Sequence, residues 1–301
     1  MAFPSLVMKT RTRYSKLDAL TAWSFLTPAL VLFILFIVIP TVAGIVLSFF
    51  SWNFFNEPKF VGLNNFAKLF DDPSAWSSLG VTMEFIVLGV VPTTIIGFML
   101  AVLISANMPA VGVIRVLYFI PVVLSVAVSG VLWVFLYDPR QGPIAAAFRA
   151  FGIQIPNLLQ TQSTAVPALV VMMVWLALPI VIILYLAALQ RVPDDIYAAA
   201  ALDGAGAWRT LWSMTWPNVL PTTLIVAVLQ VINFASSSLD VSLIMTNGGP
   251  LNASRSLGLY SYQEAFTHQD VGYASVLSVL QLVVIVAIVV VGRVVTSRSS
   301  K

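Results

Sequence analysis

Apolar positions in this chain come in long runs rather than at helical or alternating spacing. A bilayer core of about 30 Å takes roughly 20 apolar residues per crossing helix. Six stretches reach that length, near residues 21–50, 79–105, 111–137, 164–189, 219–245 and 271–295. The first follows a basic prefix (Lys9, Arg11, Arg13, Lys16) and so imitates a secretory signal. Its apolar run is about twice as long as a signal core, which predicts an uncleaved span. Pro28, Pro40, Pro92, Pro121 and Pro179 fall inside the runs. In lipid they predict kinks, because neighbouring helices can satisfy the freed carbonyls. The pattern predicts an all-α membrane protein of six transmembrane helices. Its single domain covers residues 21–295, between a segment 1–20 and a tail 296–301.

Composition narrows the function classes. Of 301 residues, 59% are hydrophobic and 9% charged, against about a quarter charged in an ordinary soluble domain. Mean hydropathy is +0.97. So few charges cannot cover a soluble surface, which excludes a cytosolic enzyme or a nucleic-acid binder. With no Cys and one His (His268), thiolate sites, disulfides, His-based metal sites and Ser–His triads drop out. No metal, cofactor or catalytic residue is expected. Nothing matches GxxxxGK[ST], so the chain carries no such phosphate-cradling loop of its own.

Charge then sets an orientation. The net charge is +3, and the positive residues gather at the ends. Residues 1–20 hold four basic residues and one acidic, and the tail adds Arg293, Arg298 and Lys301. Arg115 follows the loop between spans two and three. Loop 51–78 has Lys59 and Lys68 against Glu57, Asp71 and Asp72; loop 247–270 has Arg255 against Glu264 and Asp270. Basic flanks stay in the cytoplasm, so an even number of spans puts both termini there. The mildly basic loop 138–163 dissents.

The segment between spans four and five reads RVPDDIYAAAALDGAGAWRTLWSMTWPNVLP over residues 191–221. Pro193 with Asp194 and Asp195 is a helix start, since proline fixes φ and carboxylates complement the positive end of the dipole. Asp203-Gly204 ends that helix, because glycine takes the left-handed conformation of a C-terminal cap. A second short helix is expected over 207–215, stopping before Pro217. Two uses of this hairpin are open. Small residues 198–201 with Ile196, Leu202, Trp208, Leu211 and Trp212 suit insertion into a partner's groove. Trp208, Trp212 and Trp216 equally suit an aromatic belt on lipid headgroups.

A resemblance weighs on that choice. The segment resembles the "EAA" loop of ABC-importer permeases, in its carbohydrate-uptake form, at Ala199, Ala200, Asp203, Gly204, Ala205, Trp208 and Pro217. Ala198 stands where that pattern usually has Glu. Downstream, LIMTNGGP (243–250) and LYSYQEAF (259–266) resemble the LTxGGP and YxxaF stretches of maltose-type permeases. What the resemblance implies is a heterodimer of this chain and a second, homologous permease subunit. A dimeric cytoplasmic ATPase would dock on it, and an extracytoplasmic sugar-binding protein would deliver the solute. ATP closure of the ATPase would then turn the permease pair outward. Coupling would fall to Pro193, Ile196, Ala199, Ala200, Asp203, Gly204, Ala205, Trp208 and Leu211. Gly248, Gly249 and Pro250 would meet the binding protein, although a plain chain reversal is the other reading of that turn.

A sugar needs polar partners inside the spans. Gln230, Asn233, Ser237 and Asp240 are spaced 3, 4 and 3 apart and share one helical face. At about 1.5 Å per residue from Val219, Gln230 and Asn233 fall near the midplane. Glu84 sits near the outer end of span two. Pathway lining is the functional reading of this set. The alternative is helix-to-helix glue, the favoured reading for Ser275 and Ser278 of span six, where Gln281 continues the same spacing. No Lys or Arg lies mid-span, so an anionic solute would meet Asp240 and Glu84 with nothing to offset them. The expected cargo is therefore a neutral sugar rather than a glycerol-phosphate-like solute, and the resemblance to maltose-type permeases implies a di- or oligosaccharide, trehalose among the candidates. An ion-coupled carrier would want an acid nearer the midplane, and an intramembrane enzyme a catalytic pair, and the chain offers neither.

Overall fold

A computed structural model describes residues 16–105 and 111–299 of the chain. Lys9, Arg11, Arg13 and Lys301, on which part of the orientation rests, lie outside the described residues. Among the described residues, five helices are long and apolar enough to cross a membrane: Leu20–Leu47, Pro73–Ser105, Gln162–Leu189, Ala207–Met245 and Val271–Val294. In element terms, α1 (Lys16–Phe33) and α2 (Ile39–Leu47) form the first span around a π turn at Ile34–Val38. A two-stranded hairpin, β1 (Phe50–Ser51) and β2 (Lys59–Phe60), and the short α3 (Asn64–Phe70) lead to α4 (Pro73–Ser105).

The third expected span is not one helix. It divides into α5 (Val111–Val123) and α6 (Val126–Leu136). Pro121 alone would only kink a helix, but Ser125 turns to extended backbone and its hydroxyl accepts from the Val128 amide at 3.3 Å. A side chain able to restart a helix makes the break complete. After α7 (Pro143–Ala150) come α8 (Gln162–Leu189), α9 (Asp194–Leu202) and α10 (Ala207–Thr210). A second π turn at Leu211–Thr215 leads without a stop into α11 (Trp216–Met245), followed by α12 (Leu257–Phe266) and α13 (Val271–Ser299).

Pro217 therefore does not end the helix that precedes it. A proline in a helix removes one hydrogen bond and crowds the carbonyl four residues back. The wide π turn relieves both, with the Trp216 amide bonded to the Leu211 carbonyl five residues back. The same device stands before Pro40, where the Ile39 amide bonds to Ile34 O.

α8 is the central column and packs most heavily on α4, with α11 against both. Small residues permit the close approach. A Cβ at Gly89 would fall 2.3 Å from the Phe234 ring, and one at Gly97 would fall 2.4 Å from Val181. One core cluster centres on Phe85, Leu169, Met172 and Phe234; a second, at the end bearing α9 and α10, on Phe98, Val181, Tyr185 and Val226. A third, at the opposite end, joins Leu69, Leu257, Tyr273 and Leu277. The first span is the outlier. None of its most apolar window is buried within the chain.

Candidate functional site

The hairpin between α8 and α11 is built by its turn. Gly204 takes φ +70, the Gly204 amide bonds to Ala201 O at 3.1 Å, and the Ala205 amide reaches back to Ala200 O at 2.9 Å. That pair of bonds closes α9 and satisfies its last carbonyls. Pro193 is the residue before α9, with Asp194 and Asp195 in the first turn. The candidate coupling residues then separate by environment. Ala200 is only 3% exposed, while Ile196 and Leu211 are half-buried against the Phe98–Tyr185 cluster. Ala205 is half-buried, and Pro193, Ala199, Asp203 and Gly204 are exposed. Leu202, at 91% exposed, and Trp208, at 70%, stand clear. One side of the hairpin thus seats it on the bundle. The other offers two large apolar side chains with little around them.

On α11 three of the four polar candidates are connected, and Asp240 continues their face without a bond to them. Gln230 is 3% exposed, Asn233 Nδ2 donates to Gln230 Oε1 at 3.2 Å, and Ser237 Oγ donates to Asn233 Oδ1 at 3.4 Å. Asn233 and Asp240 are exposed and Ser237 half-buried, so the row begins in the core and opens to the surface toward Asp240. Glu84 is exposed on α4, on the side away from buried Phe85, Ile86 and Gly89. Neither Glu84 nor Asp240 has a hydrogen-bond or ion-pair partner among the described residues. On α13, by contrast, Ser278 pairs with Ser261 of α12 at 2.9 Å, and Gln281 donates to Ala235 O at 3.1 Å. Those two polar groups hold helices together.

The turn after α11 is pinned from within. Asn247 and Gly248 take φ +50 and +83, and the Gly249–Pro250 bond is cis. The Ser254 hydroxyl donates to Gly249 O at 2.6 Å, and the Ser254 amide bonds to Gly248 O at 3.2 Å. Gly248 is buried and Gly249 and Pro250 are half-buried, while Asn247, Leu251 and Asn252 are exposed. Beside the turn a cavity of about 490 Å³ is lined by Asp138, Asn157, Gln160, Asn247 and Pro250, among others. Backbone amides of Gln141 and Arg140 bind the Asp138 carboxylate and hold its pKa below the usual value.

With this geometry in place, known proteins can be set beside it. The family described as "Binding-protein-dependent transport system inner membrane component" matches residues 17–300. The chain belongs to this family. It is 33% identical over 269 residues to the probable ABC transporter permease protein YurN of Bacillus subtilis, covering 88% of this chain and 91% of that protein. To the trehalose/maltose transport system permease protein MalF of Thermococcus litoralis it is 30% identical over 288 residues, covering 95% and 96%. A solved bacterial ABC transporter involved in the import of the acidic polysaccharide alginate shares the fold, with a TM-score of 0.80 at 19% identity. That match covers 95% of this chain and 98% of the solved one. The protein is thus a membrane-embedded permease subunit of a binding-protein-dependent ABC system, and a transport component rather than an enzyme.

The permease also contains a polar lock that the sequence did not reveal. At the end opposite the hairpin, Asp72 Oδ2 accepts from Tyr260 Oη at 2.7 Å and Tyr273 Oη at 2.5 Å, while Oδ1 accepts from the Ser74 amide at 2.8 Å. Lys68 pairs with Asp270 at 2.8 Å and lies over the Tyr273 ring at 3.9 Å. Burial pushes the Asp72 carboxyl up, but the bonds from Tyr273, Tyr260 and the amides outweigh it and leave the pKa lowered. Burial beside these carboxylates pushes the Tyr260 phenol up. His268, to which the sequence assigned nothing, lies 3.0 Å from Glu264. The only sequence signal for the lock was an acid directly before a Pro-initiated helix, which marks a helix start and not its distant tyrosines.

Proposed function

We propose that this permease admits a neutral di- or oligosaccharide of the trehalose or maltose kind into the cytoplasm, powered by a separate ATPase dimer docked on the 190–218 segment. The observation that carries the sugar assignment is the row Gln230, Asn233, Ser237 and Asp240. It leads from core to surface and offers only amide, hydroxyl and carboxylate groups, all good partners for sugar hydroxyls. Relatives named for trehalose/maltose and for multiple sugars support the class. A glycerol-phosphate-like cargo fits less well, since no Lys or Arg stands mid-span to receive its charge. That argument separates this chain from the acidic cargo named for the solved alginate transporter, whose likeness speaks to fold alone.

The remaining roles follow in the same reading. The hairpin faces the cytoplasm together with residues 1–20 and the 296–301 tail, and domain 21–295 spans the membrane. Leu202 and Trp208 enter the ATPase, while Ile196, Ala200 and Leu211 seat the hairpin. Half-buried Gly249 and Pro250 with exposed Asn247 and Leu251 meet the binding protein over buried Gly248, a reading supported by the solved transporter of this fold in complex with a periplasmic protein. A second, homologous permease subunit completes the pathway and provides a wall for the row on α11.

The experiment is reconstitution of the complete system in proteoliposomes with radiolabelled trehalose, maltose and a sugar phosphate. Uptake of a neutral sugar that requires both ATP and the binding protein is the expected result. Transport by this chain alone under an ion gradient would overturn the mechanism, and preference for the phosphate would overturn the cargo.

A further inference from the structure

From hairpin to bundle runs an unbroken succession of rings, beside the aliphatic contacts of Ile196 and Leu211. Trp208 meets Trp212 at 5.6 Å between centroids, Trp212 meets Trp216 at 5.7 Å, Trp216 meets Phe98 of α4 at 4.9 Å, and Phe98 meets Tyr185 of α8 at 5.5 Å. The Tyr185 hydroxyl then donates to Thr223 of α11 at 3.2 Å. The series begins on an exposed side chain and ends on two fully buried ones. An aromatic belt spread on headgroups would keep its rings outside. Here Trp216 is turned inward onto Phe98.

The backbone beneath the series is the compliant part. The π turn Leu211–Thr215 interrupts the regular ladder between α10 and α11, and such turns are joints in an otherwise stiff rod. A push on the hairpin would be absorbed there unless side chains bridge the joint. Trp212 lies within the turn and Trp216 directly after it. Thr215, buried inside the turn, places its Oγ1 3.4 Å from Tyr197 Oη on α9 and 3.3 Å from Thr210 O. Both hairpin helices are therefore tied across the joint. Close-packed rings compress little, so a displacement at one end reaches the other as a shift of whole helices.

We infer that Trp212, Trp216 and Phe98 are positioning residues that pass hairpin movement across the π turn to spans α4 and α8, converting ATPase closure into opening of the pathway. The inference rests on the reading of the hairpin as the ATPase dock. It adds Trp216 and Phe98, which lie behind the exposed face of the hairpin, and it specifies that force enters α4 and α8 sideways and not only α11 end-on.

The test uses the complete transporter in proteoliposomes, with Trp216→Leu, Phe98→Leu, the conservative Trp216→Phe, and Leu169→Ala as a packing control in a different cluster. Retention of the ATPase, ATP hydrolysis and sugar taken up per ATP are measured together with thermal unfolding. For the two leucine variants, retention and hydrolysis should stay within about twofold of wild type while uptake per ATP falls roughly tenfold, a magnitude usual for coupled sites. Trp216→Phe should restore most of that ratio. Leu169→Ala should lower the unfolding temperature and leave the ratio unchanged. An unchanged ratio in both leucine variants would overturn the inference. So would loss of ATPase retention in either, because the rings would then belong to the dock itself. Failure of the underlying reading looks different, since the wild-type permease would retain no ATPase at all.

Discussion

Gly204 offers a quantitative test of the hairpin because its backbone and its surroundings make separable demands. Its φ of +70 is one that L side chains enter at a cost of about 1–2 kcal/mol. A Cβ placed there meets nothing within 4 Å, so no steric term adds to that cost. Alanine also restricts the unfolded segment, which offsets about 0.4–1 kcal/mol. The net loss for Gly204→Ala is then about 1 kcal/mol, or roughly fivefold in the fraction of hairpins holding the native turn. Asparagine tolerates the left-handed region and should lose less, and valine, β-branched, should lose more. Affinity for the ATPase, titrated against the permease complex in nanodiscs, should fall in the order Gly, Asn, Ala, Val. The bundle's unfolding temperature should not move, because the added atoms touch no part of it. Equal affinities across the series would refute the claim that the dock depends on this turn, and an order following side-chain size instead would show that bulk, not backbone, controls it.

Other outcomes follow from the same geometry. Leu202→Glu places a charge on a side chain that is 91% exposed, so it should spare folding and cut ATPase retention by roughly tenfold, the scale of a lost apolar anchor; a pull-down from membranes reads both. Asn233→Leu breaks the row between Gln230 and Ser237 and should lower sugar uptake with assembly intact, whereas unchanged uptake would reduce the row to helix glue. Asp72→Asn should weaken the lock to Tyr260 and Tyr273 by about 1 kcal/mol, a value kept low because water reaches the site. As the folded carboxyl has a lowered pKa, its contribution is full above the ordinary 3.8 and vanishes as pH falls through the depressed value. Thermal unfolding of wild type and variant should accordingly converge on acidification and differ by a constant amount above that pH; convergence at neutral pH would contradict it.

Hydropathy located every long apolar stretch, and the 3, 4, 3 spacing on α11 marked a row whose first three side chains, Gln230, Asn233 and Ser237, are hydrogen-bonded in series. Asp203-Gly204 announced its own turn, since a left-handed cap is a local matter. What the chain concealed was settled at a distance. Pro28, Pro92 and Pro179 sit within continuous helices, while Pro121 lies just before a break. The difference is a capping hydroxyl at Ser125, which sequence alone ranks no higher than any other serine. Pro217 looked like a terminator because a regular helix cannot pass it, and the π turn that lets it pass has no composition signature. In the Ala-rich α9, periodicity could not say which alanine rests on the bundle, so the burial of Ala200 emerged only with Ile196 and Leu211 in place. The Asp72 lock joins positions 188 and 201 residues apart, beyond the reach of any local pattern.

Exposure within a membrane protein has two meanings, and polarity separates them. The first span buries none of its most apolar window within the chain, yet its side chains are mostly aliphatic and aromatic and its Ser24, Thr27 and Thr41 hydroxyls donate to the helix's own carbonyls, so lipid satisfies it as readily as protein. Glu84, Asn233 and Asp240 are also exposed, and for them lipid is the wrong solvent. An Asp or comparable charge at mid-helix costs about 2.5–3.5 kcal/mol in hydrocarbon, less toward the interface. Asn233 and Asp240 share their side of α11 with exposed Leu229 and Ile232, and Glu84 shares its side of α4 with exposed Val87 and Val91. Such mixed surfaces suit neither bulk lipid nor bulk water. They suit a second protein surface with a wet seam, which apolar neighbours close and polar residues line. The proposed second permease subunit should therefore be sought against α4 and α11, and a cross-link from Val87 or Ile232 to it, absent from first-span positions such as Phe25, would locate the pathway on that seam.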